Sequence, residues 1–239
     1  MLRKASGILF ICASLLMLIC FALLGIKLGY PDILRQETGV ALAKFLANAG
    51  LARALYYGLM ISAVLVIIEA VLFQRVFKQQ SDSVFLELGK YAGICAGFSF
   101  IFGFMRWVFL VPFLAGTHAQ APPGSALADT SAFLFRAFDT YLGTTIGEHM
   151  GFLFLSLMLF FFGIALIQSG GFSSCQGWLG WLGILIGLGV LYGNTEVFGF
   201  PLAFDINRAA TKLSLLWMIA IGVLLLVAKP PQPGAGSRA

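Results

Sequence analysis

Six apolar runs, at residues 6–26, 54–73, 91–115, 146–167, 177–193 and 213–227, alternate along the chain with short polar stretches. The hydrocarbon core of a bilayer is about 30 Å thick, so a crossing helix needs roughly 17–25 apolar residues. The first four runs meet that length easily; the last two are shorter. In lipid a helix satisfies its own backbone hydrogen bonds, so each run predicts a helix. The expected fold is all-α: a single transmembrane domain over residues 1–239, with six transmembrane helices and short interfacial helices.

The connections add detail. In the first, Glu37, Ala41, Lys44 and Asn48 recur at helical spacing while Leu42, Phe45, Leu46 and Ala49 fill the opposite face, and Gly50 is the expected stop. That pattern predicts a helix in the interface plane over 38–49. The third connection interleaves Phe133, Leu134, Phe138, Tyr141 and Leu142 with Arg136 and Asp139, after Pro122 and Pro123. It predicts a second interfacial helix over 131–142. Odd-numbered helices are expected to end near Pro31, Pro112 and Pro201, because proline breaks the helical hydrogen-bond ladder. That spacing suggests a repeated unit of helix, proline, interfacial segment and helix, against the alternative that helix-ending prolines fall there by coincidence.

Composition agrees with the pattern. Apolar residues are 60% of the chain and charged ones 10%, too little charge to keep a soluble domain of this size in solution. The net charge of +5 lies on Lys and Arg beside the helices, where it meets lipid headgroups. No basic stripe exists, so nucleic acid is not an expected partner. Arg3 and Lys4 precede an apolar run too long for a signal peptide, and the first segment is expected to stay as a helix. With the N-terminus inside, seven basic residues (Arg3, Lys4, Arg75, Lys78, Lys90, Lys229, Arg238) fall on inner segments about half as long as the outer ones, which carry Lys27, Arg35, Lys44, Arg53, Arg136, Arg208 and Lys212. Basic density therefore favours both termini in the cytoplasm.

Candidate chemistry is sparse. Arg106 lies inside the third run, where a charged side chain costs about 2.5–3.5 kcal/mol on insertion scales. Its guanidinium needs a carboxylate or an anion. Glu148 is the first expected partner and Glu196 the second. Glu148, His149, Asn194 and Glu196 are expected to converge with Arg106 on an outward-facing polar pocket lined by Tyr56, Tyr57, Trp107 and Tyr141. Glu69, in the second run, is a separate intramembrane charge expected to pair with Lys4 or Lys90 or to keep its proton. No metal and no cofactor are expected. His118 and His149 are the only histidines, and Glu148 and His149 are adjacent on a helix rather than four apart. The four cysteines, Cys12, Cys20, Cys95 and Cys175, have no ligand spacing. Gly93 with Gly97, and Gly180, Gly183, Gly187, Gly189 and Gly193, mark close helix packing, either within the chain or, at Gly180, Gly183 and Gly187, between copies.

YPDILR at 30–35, RWVFLVP at 106–112, YLGTTIGEHMG at 141–151 and WLGWLG at 178–183 carry a resemblance. The chain resembles the bacterial domain-of-unknown-function 4386 family of multi-pass membrane proteins. The resemblance implies a bacterial inner-membrane protein and no established activity, and it assigns no role to Arg106, Glu148 or His149.

The leading functional expectation is therefore a membrane protein that binds or moves a small amphipathic or anionic molecule, or a lipid, around Arg106. Two other classes stay open: an intramembrane enzyme using Glu148 or His149 as acid or base, and a structural partner in a membrane complex.

Overall fold

A computed structural model describes residues 1–169 and 175–227. The basic Lys229 and Arg238, and the Ser/Gly-rich connection at 170–174, lie outside the described residues. Every described element is helical: α1 Leu2–Leu28, a 3-10 turn Asp32–Arg35, α2 Thr38–Ala47, α3 Ala49–Phe77, α4 Val84–Gln120 and α5 Ala126–Phe138. A π-helical stretch, Asp139–Met150, leads into α6 Gly151–Ser169. Then follow α7 Cys175–Gly193, a 3-10 turn Asn194–Phe198 and α8 Ala203–Val227. Six stretches among the described residues are long and apolar enough to cross a membrane: Leu2–Leu28, Ala49–Phe77, Val84–Gln120, Ala126–Ser169, Cys175–Phe198 and Ala203–Val227. These match the six apolar runs.

Three boundaries differ from the sequence expectations. Pro112 does not end its helix; α4 runs through it to Gln120. A proline costs the helix one hydrogen bond, and membrane helices tolerate this where neighbours re-satisfy the freed group. Since Pro31 lies in a turn and Pro201 precedes α8, the helix–proline–interfacial repeat fails at its middle unit. Secondly, α2 stops at Asn48 rather than Gly50. The Asn48 side-chain amide donates to the Lys44 carbonyl at 3.0 Å, and α3 starts at the next residue. Thirdly, α5 is not a free-standing interfacial helix. Ser125 caps its start by accepting from the Ala128 N–H, but no breaker follows Phe138, and helix continues to Ser169. The resulting 44 residues far exceed the roughly 17–25 that a crossing requires.

The chain packs as two compact units. The first comprises Met1–Leu15, Leu65–Cys95 and the described residues from Phe152 onward. Its centre is aromatic. Phe73 stacks on Phe162 with ring centroids 3.9 Å apart and lies near Phe10, Phe77 and Trp217. The Trp217 indole donates to the Leu179 carbonyl at 2.7 Å, tying α8 to α7. Small residues let these backbones approach, because lipid supplies no hydrophobic drive between helices. A methyl group on Gly7 would lie 2.7 Å from the Gly222 carbonyl oxygen, so the start of α1 packs beside the end of α8. Gly180 sits against the Gly163 carbonyl, Gly183 against Trp217 and Gly187 against the Ser156 carbonyl. The glycine face of α7 is thus occupied by helices of its own chain. Gly93 packs on Ala70 and Met158 in the same way.

The second unit comprises Leu16–Val64 and Ala96–Gly151. It contains α2, α5, the π-helical stretch and the adjoining parts of α1, α3 and α4. Ala41, Leu42 and Phe45 of α2, and Ala128, Ser131 and Phe135 of α5, form the buried faces of these two amphipathic helices, which pack on each other. His118 is on the last turn of α4. Its Nδ1 lies 3.1 Å from both the Ala128 carbonyl and the Ser131 hydroxyl.

Candidate functional site

The site begins with three glycines at a spacing of four: Gly143, Gly147 and Gly151. They face Arg106, Gly103 and Phe100 of α4 in turn. A methyl group on Gly147 would fall 2.7 Å from the Gly103 Cα, and one on Gly151 would fall 2.6 Å from the Phe100 ring. At Gly143 the space a side chain would take holds the Arg106 guanidinium itself. The two helices therefore cross backbone to backbone, and the long Arg106 side chain lies flat over a residue without one. The wide π turn reaches Gly143 from Asp139 in about one turn, so Asp139 lies beyond the guanidinium on the same face. A bond from the Thr145 hydroxyl to the Thr140 carbonyl, five residues back, runs along this stretch.

Arg106 is 7% exposed and Asp139 partly buried. Asp139 Oδ1 accepts from Arg106 Nη2 at 2.9 Å and from Nε at 3.2 Å. Arg106 Nη1 donates to the Gly103 carbonyl. Asp139 is therefore a carboxylate partner of Arg106, one that sequence spacing, which put Glu148 first and Glu196 second, did not name. The reason is the uninterrupted helix: α5 does not peel away after Phe138, so Asp139 is carried onto the α4-facing side. A guanidinium has five N–H donors. Three are engaged here, and one on each Nη has no partner among the described residues.

An aromatic cluster centred on Trp107 lies beside this pair. Trp107 is buried, with its ring centroid 5.4 Å from the guanidinium carbon. Tyr56 stacks on Trp107 at 4.8 Å and 7°, and Phe45 and Phe135 also touch the indole. Tyr30 meets Tyr56 edge-on at 6.5 Å and stacks on Phe21 at 5.6 Å. The Tyr56 hydroxyl is buried without a hydrogen-bond partner. Burial, and then the negative charge of Glu148, hold the Tyr30 phenol well above its usual range; Arg106 opposes this, Asp139 adds to it, and Arg35 opposes it. The Tyr56 phenol feels Tyr30, Arg106, Asp139 and Glu148 as well. Two phenols, two carboxylates and two guanidinium groups thus share one electrostatic neighbourhood.

The expected site residues divide between the units. Arg106, Trp107, Glu148 and His149 belong to the second, with Glu148 and His149 half-buried at the end of the π-helical stretch. Tyr56 is buried against Trp107, while Tyr57 and Tyr141 are 48% and 62% exposed. The rings clustered with Trp107 and Tyr56 are Tyr30, Phe45 and Phe135. Asn194 and Glu196 lie in the first unit, on the turn between α7 and α8. Glu69 is also in the first unit. It is 2% exposed, and its Oε1 has no hydrogen-bond partner. Lys90, one of its two expected partners, pairs with Glu87, which also accepts from Gln74 at 2.6 Å. Lys4, the other, is exposed. Among the described residues no group of three His, Cys, Asp or Glu side chains is placed to hold a metal ion.

Sequence reasoning missed Asp139 as the partner and missed Gly103, Gly143, Gly147 and Gly151 as the crossing. The glycine spacing of four was the available signal, and it points at Arg106 once the segment is read as one helix.

The helices and their composition define a multi-pass membrane protein, in which Arg106 of α4 is ion-paired with Asp139. The chain belongs to the family described as "Domain of unknown function (DUF4386)", whose model matches residues 5–228. No curated protein and no solved structure matches it.

Proposed function

We propose that this protein binds a small amphipathic or anionic molecule, or a lipid, with the polar head at Arg106. The observation that supports this reading is the guanidinium: it is fixed in place by Asp139 and Gly103, yet keeps an N–H donor on each Nη. A charge held rigidly inside a membrane protein at insertion cost is the mark of a functional site. The π-helical stretch that carries Asp139 is a rare conformation that recurs at functional sites. In this reading the protein sits in a bacterial inner membrane with both termini cytoplasmic, and the site opens toward the outer side. An even number of crossings and the packing of Gly7 beside Gly222 support the common side.

The test is native mass spectrometry of the protein released from lipid nanodiscs, compared with the double variant Arg106→Met with Asp139→Asn. The double change removes both charges together, so it avoids leaving one buried alone. The wild type is expected to retain an amphiphile that the double variant loses. Equal retention by both would overturn the reading.

A further inference from the structure

We infer that the head group taken at Arg106 is a singly charged carboxylate on an apolar tail, hydrogen-bonded by the spare N–H donors of Arg106 and by the Tyr56 hydroxyl. This rests on the reading of Arg106 as a binding site and specifies its ligand.

The donors come first. Arg106 Nε and Nη2 both bond Asp139 Oδ1, which uses the side-on fork of the guanidinium. The second N–H of Nη2 therefore points end-on, away from Asp139. Nη1 has one donor left after its bond to the Gly103 carbonyl. Guanidinium N–H groups only donate, so the spare ones on Nη1 and Nη2 call for acceptor oxygens such as those of a carboxylate. The second observation is independent. Tyr56 is 1% exposed, and its hydroxyl, buried without a partner, shares the field of Arg106, Asp139 and Glu148. A buried hydroxyl left unbonded costs free energy, which a ligand oxygen would recover.

Charge then narrows the class. Arg106 and Asp139 form an ion pair whose formal charges cancel. A dianionic phosphate would bring two negative charges beside the Asp139 carboxylate in a buried setting, where like charges repel strongly. A carboxylate brings one and receives charge-assisted bonds in return. A neutral ester would forfeit that charge assistance. The tail has apolar company in Phe45, Phe135, Tyr30 and Trp107.

The experiment uses the full chain in zwitterionic nanodiscs with three probes of equal tail length: dodecanoate, methyl dodecanoate and dodecyl phosphate. Binding is followed by titration against the Arg106→Met with Asp139→Asn background. Dodecanoate is expected to bind saturably and at least about tenfold more tightly than either other probe. Tyr56→Phe should weaken dodecanoate by about tenfold and leave the thermal midpoint without probe equal or raised, since the lost hydroxyl has no protein partner and its burial is costly. Equal binding of acid and ester, tighter binding of the phosphate, or unchanged dodecanoate affinity in Tyr56→Phe would overturn the carboxylate assignment. If the ester or the phosphate bound through Arg106 instead, the wider reading of the site would stand. If none of the three bound above background, both would fall.

Discussion

Gly103 and Gly147 touch through their backbones, with room for no side chain on either: a methyl group on Gly147 would lie 2.7 Å from the Gly103 Cα, and one on Gly103 would lie 2.9 Å from the Gly147 Cα. One step along, the Arg106 guanidinium occupies the gap over Gly143 and reaches Asp139. The closeness of the crossing therefore sets the geometry of the ion pair.

Gly147→Val should separate the two helices and stretch the Arg106–Asp139 bonds. Overpacking of this kind costs about 1–3 kcal/mol, and a rigid backbone contact puts it at the upper end. Gly116→Ala is the control, because nothing lies within 4 Å of the added methyl and alanine favours helix. Thermal denaturation in a fixed detergent should show a lowered midpoint for the first and an equal or raised one for the second. An unchanged midpoint in Gly147→Val would mean that the crossing is looser than described.

Removing one partner of the ion pair should cost more than removing both. Arg106→Met leaves the partly buried Asp139 carboxylate without its counterion, with an expected loss of about 3 kcal/mol. Adding Asp139→Asn should restore much of that loss, and a double-mutant cycle by chemical denaturation measures it. Strictly additive single and double losses would show that the two groups do not interact.

The six apolar runs were legible because length and hydropathy alone decide what crosses a bilayer. The pairing of Arg106 was not, for a physical reason. The segment holding Asp139 has the amphipathic alternation of an interfacial helix, and that pattern says nothing about whether the helix stops at Phe138. Only the absence of a breaker between Phe138 and Ile146, together with the glycines at 143, 147 and 151, hints at a continuous helix facing α4. The π widening has no compositional signature. Pro112 misled in the opposite direction, because a rule drawn from soluble helices does not bind in lipid. Glu69 was visible as an intramembrane charge, but Lys90 lies three residues from Glu87 and is captured there.

Alkali should act through Tyr30. Its phenol titrates above the usual value of 10.0, so the folded state holds the proton more tightly than the unfolded chain. That contribution is fully present below about pH 10 and is lost as pH rises through the folded value. Tyr30→Phe, which has no proton to lose, should show a shallower fall in thermal midpoint above pH 10 than the wild type. Parallel alkaline limbs would contradict the burial of this phenol among negative charges.

The ends of the chain should report one face. Reporter fusions after Val227 and within 120–128 are expected on opposite sides of the membrane, with the first cytoplasmic. Signals from the same side would remove one of the six crossings.

Site mapping with a carboxylate-headed amphiphile that carries a photoreactive group in its tail is the most direct test that Arg106 anchors a ligand. Cross-linked peptides should concentrate on Tyr30, Phe45, Trp107 and Phe135, and this labelling should disappear in Arg106→Met with Asp139→Asn. Labelling confined to outward-facing residues such as Phe109, Phe113 and Trp178, which are 61%, 67% and 79% exposed, and unchanged in the double variant, would contradict the account.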